Sequence, residues 1–263
     1  MEQIREVINA KLDELLPSDK TPPTRLHEAM RYSVFSGAKR IRPVLCIAVC
    51  EALGGSREDA IVPACALEAL HTYTLIHDDL PAMDNDDMRR GKLTCHKKFD
   101  EATAILAGDG LLTISFEWFG MHGDIRLVQE LAKYAGSLGI VGGQQDDMQY
   151  KTSMPNREDL FSMQEKKTAY LFSVSCIIGA MCASASESDV EHMRSFGKNL
   201  GRAFQLLDDI CDNDPVTMSV IGREETMNLA EKYKADSYRA LETLANPAQL
   251  RDILDFTYSS FKL

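Results

Sequence analysis

Two aspartate-rich stretches, more than a hundred residues apart, are the part of this chain best suited to chemistry. The first begins at Asp78-Asp79 and runs to Asp84, and the second is Asp208-Asp209-Ile210-Cys211-Asp212. Both lie among apolar residues, where several unpaired carboxylates are costly unless cations accompany them. Carboxylates that leave positions open for phosphate oxygens and water are typical of magnesium sites. With Lys and Arg nearby, the pattern indicates a site for a diphosphate.

Basic residues accompany these carboxylates in three short runs. At the start of a helix, free N–H groups and the macrodipole add to the positive charge, and arginine grips phosphate oxygens through a bidentate fork. Each run alone would be a solvated surface. Together with the carboxylates they indicate two anion sites, one held by metal and one by cations alone. The runs are Lys39-Arg40-Ile41-Arg42, Arg89-Arg90 and Lys166-Lys167.

Helical periodicity determines how these side chains are presented. Pro81 interrupts the helix that carries Asp78, so Asp84 is expected to fold back toward Asp78. Asp208 and Asp212 are four apart and share one helix face. No alternating strand pattern bounded by hairpin turns is found, so the sequence predicts an all-α, single-domain helical bundle over residues 1–263. Helices are predicted at about 43–53, 61–79, 101–119, 126–147, 157–183, 187–212, 222–245 and 247–261.

Composition excludes several function classes. A net charge of -11 argues against nonspecific nucleic-acid binding. No run of about 20 apolar residues is present, so no membrane span is expected, and the N-terminus lacks the apolar region of a signal peptide. The seven cysteines form no CxxC pair and mostly lie in apolar stretches, which predicts buried free thiols and a cytoplasmic protein.

A di-iron carboxylate bundle is the other all-helical metal site that we considered. Glu68-Ala69-Leu70-His71 matches its Glu-x-x-His motif. That architecture needs two such motifs and two further glutamates, and we find one motif. His71 precedes Asp78 by seven residues, which places both on one helix face.

The motifs resemble those of the trans-isoprenyl diphosphate synthases, in the short-chain group that makes farnesyl diphosphate. Asp78-Asp79-x4-Asp84 and Asp208-Asp209-x2-Asp212 are similar to the two aspartate-rich motifs of that family. The stretch from Gly37 to Pro43 is similar to its Gly-Gly-Lys-Arg-x-Arg-Pro motif, with Ala38 in place of the second glycine. Further matches are Thr94-Cys95-His96, Gly108-Asp109, Gly142-Gly143-Gln144, Lys167-Thr168 and Phe204-Gln205.

This resemblance implies a helical fold around a deep central cavity, a homodimer, and condensation of isopentenyl diphosphate with an allylic diphosphate. It implies up to three Mg²⁺ ions, held by Asp78, Asp84 and Asp208 with support from Asp79, Asp209 and Asp212. Arg89 and Lys167 would bind the allylic diphosphate. Lys39, Arg42, His71 and Arg90 would bind isopentenyl diphosphate, and Thr168 and Gln205 would lie beside the developing carbocation.

Product length is the finer expectation. Tyr73 and Thr74 lie one turn before Asp78, where a bulky tyrosine would stop the growing chain and favour a C15 product. Geranylgeranyl diphosphate synthase is the alternative, and Phe116 is a second candidate for the floor. A class-I terpene cyclase would share the first motif but normally not the second or the basic residues. An inactive partner subunit of a heteromeric synthase would have lost one aspartate motif.

The connection after Asp212 is shorter than the resemblance implies. Family members have a longer loop here with glycines and a lysine, whereas this chain has no lysine between Lys198 and Lys232. We expect omitted residues and a break in the backbone between Asp212 and Thr217. The span from Gly120 to Gly123 looks shortened in the same way.

Overall fold

The computed structural model describes residues 1–261 and confirms the all-α prediction. Apart from a small hairpin, the described elements are helices. Their bounds are α1 Glu2–Leu15, α2 Thr24–Val34, α3 Ile41–Ala52, α4 Arg57–Asp78, α5 Cys95–Lys98, α6 Glu101–Met121, α7 Ile125–Ala135, α8 Ile140–Tyr150, α9 Arg157–Gln164, α10 Tyr170–Cys182, α11 Glu187–Asp212, α12 Pro215–Val220, α13 Arg223–Ala240 and α14 Ala248–Ser259.

Side-chain caps fix where several helices begin. Asp100, Asn156, Ser186 and Asp214 each accept a hydrogen bond from the backbone N–H three residues later. Such caps satisfy N–H groups that have no partner inside the helix. The last of them starts α12 directly after the second aspartate-rich segment.

The chain divides into two compact units. The first contains Glu2–Val44 and Ile61–Ile125, and the second contains Met1, Leu45–Ala60 and residues 126–261. The expectation of one domain over 1–263 stays a prediction. In the first unit α2 packs on α5 and α6. Fully buried apolar side chains from α1, α4 and α6, including Ile8, Leu12, Leu67 and Leu111, form its interior.

The second unit is built around α10, which packs on α11, and α11, which packs on α13. Almost every residue of α10 is buried, as its continuous apolar sequence requires. Glycines bring α11 close to its neighbour: a Cβ at Gly197 would lie 2.7 Å from the Phe172 carbonyl oxygen, and one at Gly201 would lie 2.5 Å from Ala169 Cα. These two glycines therefore set the helix separation.

Between α9 and α10 the helix continues through a π turn at Glu165–Ala169. There the Tyr170 N–H bonds to the Glu165 carbonyl, five residues back. The segment predicted as one helix at about 157–183 is thus confirmed, with one widened turn inside it. Such π turns often occur at functional sites.

Two secondary-structure predictions were wrong. The helix predicted at 126–147 is two helices, because the chain leaves α7 after Ala135 and restarts at Ile140 with Gly139 as N-cap. A Cβ at Gly139 would lie 1.9 Å from the Tyr134 carbonyl oxygen, so only glycine fits this turn. A hairpin that we did not predict pairs β1 Met88–Arg89 with β2 Lys92–Leu93. Its turn residues, Arg90 and Gly91, have φ of 53° and 75°, as a type I′ turn needs.

The expected break in the backbone after Asp212 is not found, and the expected omission of loop residues there stays a prediction. The backbone is continuous to Thr217, and the Asp214 N–H bonds to the Asp209 carbonyl at 2.8 Å. Asn213 takes the left-handed conformation that ends α11. The chain is likewise continuous at Gly123, whose φ of 85° and N–H bond to the Gly120 carbonyl make a tight turn.

The cysteines are free, and six of the seven are buried, with Cys211 the exposed one. This confirms the predicted buried thiols. Within residues 1–261, none of the helices has the length and apolar character needed to cross a membrane.

We expect Gly201→Ala to lower the free energy of unfolding by about 1–3 kcal/mol, because the new methyl group must displace the backbone of the π turn. Gly120→Ala is the matched control. It lies in α6, its Cβ would meet open space, and it should be neutral or stabilise by up to about 1 kcal/mol. Denaturant unfolding measures both, and equal effects would contradict the close approach.

Candidate active site

The first aspartate-rich segment folds back as its sequence predicts. α4 ends at Asp78, and the Asp84 N–H then bonds to the Asp78 carbonyl at 2.9 Å. The next residue, Asn85, has φ of 55° and bonds to the Leu80 carbonyl. Asp78 and Asp84 are partly exposed at this turn. This main-chain hydrogen bond therefore holds the backbones of Asp78 and Asp84, two of the predicted metal ligands, close together.

Asp79 faces the interior of the first unit. It is 3% exposed and accepts a hydrogen bond from Arg89 Nε at 2.7 Å. Burial raises the pKa of Asp79, although the bond from Arg89 acts in the opposite direction. The hairpin places Arg89 on β1 for this contact and leaves Arg90 exposed at the turn. Arg89, predicted to bind the allylic diphosphate, is thus anchored by the second aspartate of the motif.

Arg42 and His71 meet in the first unit, as the predicted isopentenyl diphosphate site requires. Arg42 Nη1 lies 3.1 Å from His71 Nε2. A guanidinium cannot accept a hydrogen bond, so Nε2 is the acceptor and His71 is neutral. Burial and the nearby arginines hold the pKa of His71 well below its usual value, which agrees with this. Burial also lowers the pKa of Arg42 to about 10, so Arg42 remains charged near neutral pH.

The basic run at the start of α3 is divided between the surface and the interior of the first unit. Lys39 is exposed, whereas Arg40 is 4% exposed and donates to Glu68 Oε1 at 2.7 Å. The sequence placed Arg40 with Lys39 and Arg42 in one anion site. In the structure, the Arg40 guanidinium is instead buried inside the first unit, where it pairs with Glu68.

The predicted floor residue, Tyr73, packs against the side chain one turn further along α4. Tyr73 is 6% exposed, and its ring meets His77 edge-on with centroids 5.5 Å apart. His77 Nε2 lies 3.0 Å from the Ile105 carbonyl of α6, to which it donates. A Cβ at Gly108 would lie 2.1 Å from that nitrogen. Thr74, the other predicted length residue, donates to the His71 carbonyl.

The second aspartate-rich segment has the same division between accessible and buried carboxylates. Asp208 is partly exposed and Asp212 is exposed at the end of α11, whereas Asp209 is 7% exposed. Asp209 Oδ2 accepts from Gln164 Nε2 at 2.6 Å and from Thr217 Oγ1 at 2.7 Å, and Oδ1 accepts from Gln205 Nε2 at 2.7 Å. Burial nevertheless raises the pKa of Asp209 to about 6.

This network extends to the π turn. Gln205 Oε1 accepts a hydrogen bond from Thr168 Oγ1 at 2.6 Å, so the two residues predicted beside the carbocation are in contact. The neighbouring Lys167 Nζ lies 2.6 Å from Asp147 Oδ2 on α8. The backbones of α8 and the π turn approach closely, since a Cβ at Gly143 would lie 2.5 Å from the Lys167 nitrogen.

The donor chemistry fits magnesium bound together with a phosphate ligand. Asp78, Asp84, Asp208 and Asp212 offer hard carboxylate oxygens that solvent can reach. Within residues 1–261, no three His, Cys, Asp or Glu side chains form a ready-made metal cage. Magnesium normally keeps several waters and binds through one or two carboxylates plus substrate phosphates, so it needs no such cage. The ligand set proposed from the sequence stays a prediction.

Sequence reasoning missed the residues that support the site. Gln164 and Thr217 hold Asp209, and Glu68 holds Arg40, yet no motif marks the first two. In the sequence, Glu68 stands out only as part of a single Glu-x-x-His match. Its spacing of three from His71 does signal a shared helix face, and that signal could have identified it.

Comparison with known proteins gives concordant matches. The polyprenyl synthetase family model matches residues 23–231. The chain is 48% identical to a farnesyl diphosphate synthase of Bacillus subtilis (strain 168), over 72% of this chain and 67% of that protein. It is 40% identical to geranylgeranyl pyrophosphate synthase 4 of Arabidopsis thaliana, over 90% of this chain and 70% of that protein. The crystal structure of an FPP/GFPP synthase from Zymomonas mobilis superposes with a TM-score of 0.91 at 35% identity, covering 97% of this chain and 96% of that one.

Replacing Gln164 tests the network around Asp209. We expect Gln164→Leu to lower the free energy of unfolding by about 1–3 kcal/mol, because a buried carboxylate loses a donor. Gln145→Leu, at an exposed position of α8, should change it by less than about 0.5 kcal/mol. Denaturant unfolding of both variants measures the difference. A Gln164→Leu protein as stable as the control would show that the bond contributes nothing.

Proposed function

Because the chain belongs to the polyprenyl synthetase family, we propose that it condenses isopentenyl diphosphate with dimethylallyl or geranyl diphosphate to give farnesyl diphosphate. One observation carries this proposal: besides two aspartate-rich segments with accessible carboxylates, the first unit holds a cationic cluster around the Arg42–His71 contact. A reaction between two diphosphates needs both kinds of site. Geranylgeranyl diphosphate remains the second candidate product, since several similar proteins are named for it.

Up to three magnesium ions would be held by Asp78, Asp84 and Asp208, with Asp212 as a further accessible carboxylate. When bound, they neutralise the charge that develops on the leaving diphosphate. The sequence also placed Asp79 and Asp209 among the metal ligands. Their main role would instead be to position other side chains, Asp79 by binding Arg89 and Asp209 by binding Gln205. The hydrogen bonds that each of them accepts support this division.

Basic side chains would hold the two substrates. Arg89 and Lys167 would bind the allylic diphosphate. Each now pairs with a carboxylate, Arg89 with Asp79 and Lys167 with Asp147. Lys39, Arg42, His71 and Arg90 would bind isopentenyl diphosphate. His71 would serve as a neutral group that orients Arg42, because its Nε2 accepts from that guanidinium.

Thr168 and Gln205 would stabilise the allylic cation. The cation needs oriented dipoles in a site without bulk water. The Thr168 hydroxyl donates to Gln205 Oε1, which leaves the hydroxyl lone pairs as an oriented electron-rich group. The double bond of isopentenyl diphosphate would attack, and the released diphosphate would take the proton. No side-chain nucleophile is required.

We further propose that the protein is a homodimer and is located in the cytoplasm. A homodimer follows from the family resemblance. A cytoplasmic location agrees with seven free cysteines, since reducing compartments keep thiols free.

Incubation with dimethylallyl and isopentenyl diphosphates in Mg²⁺ tests the activity. A chain-extended C15 diphosphate is the expected product. A hydrocarbon would indicate a terpene cyclase, and no turnover would indicate an inactive partner subunit. The presence of both aspartate motifs and of the Arg42–His71 cluster favours the synthase over these two.

Asp208→Ala should leave a folded helical protein with turnover lowered by about three powers of ten, because charge stabilisation by metal is lost. Asp252→Ala, at an exposed position of α14, is the control and should retain full activity. Steady-state assays with circular dichroism measure both. Near-normal turnover of Asp208→Ala at saturating Mg²⁺ would refute the catalytic assignment.

Tyr73→Ala should shift the product toward C20, because removal of the buried ring opens space one turn before Asp78. Tyr73→Phe keeps the ring and should keep the C15 product. Chromatography of the hydrolysed products measures the chain lengths. An unchanged spectrum in Tyr73→Ala would place the floor elsewhere, and Phe116→Ala would then be the next variant.

A further inference from the structure

Arg40 belongs to the basic run at the start of α3 but has no part in the proposed reaction, and the fold holds it in an unusual state. It is 4% exposed, and its φ of 55° lies in the left-handed region. That backbone conformation is uncommon for a residue with a long side chain. A charged group kept in this state needs strong local interactions.

Each nitrogen of the Arg40 guanidinium has a partner from another part of the first unit. Nη1 donates to Glu68 Oε1 at 2.7 Å, Nη2 to the Val34 carbonyl at 2.7 Å, and Nε to Asn9 Oδ1 at 3.0 Å. The guanidinium also lies 5.9 Å from the centre of the Phe35 ring. One side chain thus ties α1, the end of α2 and α4 to the loop before α3.

These ties lie directly beside the cationic cluster. Arg40 stands between Lys39 and Arg42 in the chain, and Glu68 lies one turn before His71 on α4. The segment from Arg40, just before α3, to Arg42, in its first turn, is therefore joined to α4 twice, by Arg40–Glu68 and by Arg42–His71. A shift of this segment relative to α4 would change both contacts together.

The charge of Glu68 reaches the same cluster. The Glu68 carboxylate interacts electrostatically with Arg42 and with Arg90 as well as with Arg40. It is 2% exposed, so water screens these interactions little. Glu68 therefore reduces the mutual repulsion of the arginines while no substrate is bound.

We propose that Arg40, Glu68 and Asn9 form a positioning unit that sets the spacing of Lys39, Arg42, His71 and Arg90 for a diphosphate. This inference rests on the proposed function, because the diphosphate is that of isopentenyl diphosphate. A buried ion pair contributes little net stability compared with apolar side chains of similar volume. Two apolar side chains at these positions could therefore replace the stability of the ion pair, but they could not position the neighbouring cations.

Two variants separate positioning from stability. The double variant Arg40→Met/Glu68→Leu replaces the ion pair by apolar groups and avoids leaving one charge buried alone. Asn9→Ala removes only the acceptor of Nε on an exposed residue, so it is safe for folding. Arg31→Met is the matched control. Arg31 stacks on the same Phe35 ring at 5.2 Å but pairs with the exposed Asp13 at the surface.

Steady-state kinetics with both substrates gives the first readout. We expect the KM for isopentenyl diphosphate to rise about tenfold in the double variant and about threefold in Asn9→Ala, with the allylic KM changed less than about twofold. Arg31→Met should change neither KM. A merely structural role predicts altered unfolding with both KM values unchanged, and that result, or equal shifts of both, would overturn the proposal.

Titration calorimetry with inorganic diphosphate in the absence of metal gives a second readout that does not depend on turnover. Binding weakened in Asn9→Ala but not in Arg31→Met supports the positioning unit, and equal binding in both refutes it. If the double variant does not fold, Asn9→Ala decides the question. If the wild type binds diphosphate but makes no chain-extended product, the proposed function fails while the positioning unit is still judged by this titration.

Discussion

A carboxylate can be buried at tolerable cost only when hydrogen-bond donors compensate its charge, and this constraint shapes both aspartate-rich segments. In each Asp-Asp pair the first residue stays accessible and the second turns inward. Asp79 is met by Arg89, and Asp209 by Gln164, Gln205 and Thr217. The buried member fixes the local backbone, so the accessible member is held at a defined place before any cation arrives.

The two buried carboxylates also position side chains that have roles in the proposed reaction. Arg89 reaches Asp79 only because a type I′ turn reverses the chain after it. Gln205 reaches Asp209 from one helical turn earlier, and its other end receives Thr168. The polar groups with roles in the proposed reaction therefore depend on the same hydrogen bonds that allow the fold to bury charge.

Much of this could be predicted from sequence. The fold-back of Asp84 followed from Pro81, and the meeting of Thr168 with Gln205 agrees with their motifs. The predictions that failed depended on contacts that the residue pattern alone does not show, one local and one between distant segments. The segment 126–147 is predicted as one helix, yet Gly139 turns so tightly against the Tyr134 carbonyl that one helix becomes two. In the sequence, Arg40 cannot be distinguished from its exposed neighbour Lys39. Arg40 is buried because Glu68 and Asn9 accept hydrogen bonds from its guanidinium.

The π turn at Glu165–Ala169 makes part of the site depend on the number of residues in the turn, and not on their types alone. In this widened turn Lys166, Lys167 and Thr168 are consecutive, yet the two lysines reach α8 and the threonine reaches α11. A regular helix would gain such a turn by insertion of one residue and lose it by deletion of one. Substitutions do not change the number of residues in the turn, so they preserve this geometry. Deletion of a single residue would instead rotate α9 relative to α10, even if every residue with a role in the reaction were kept.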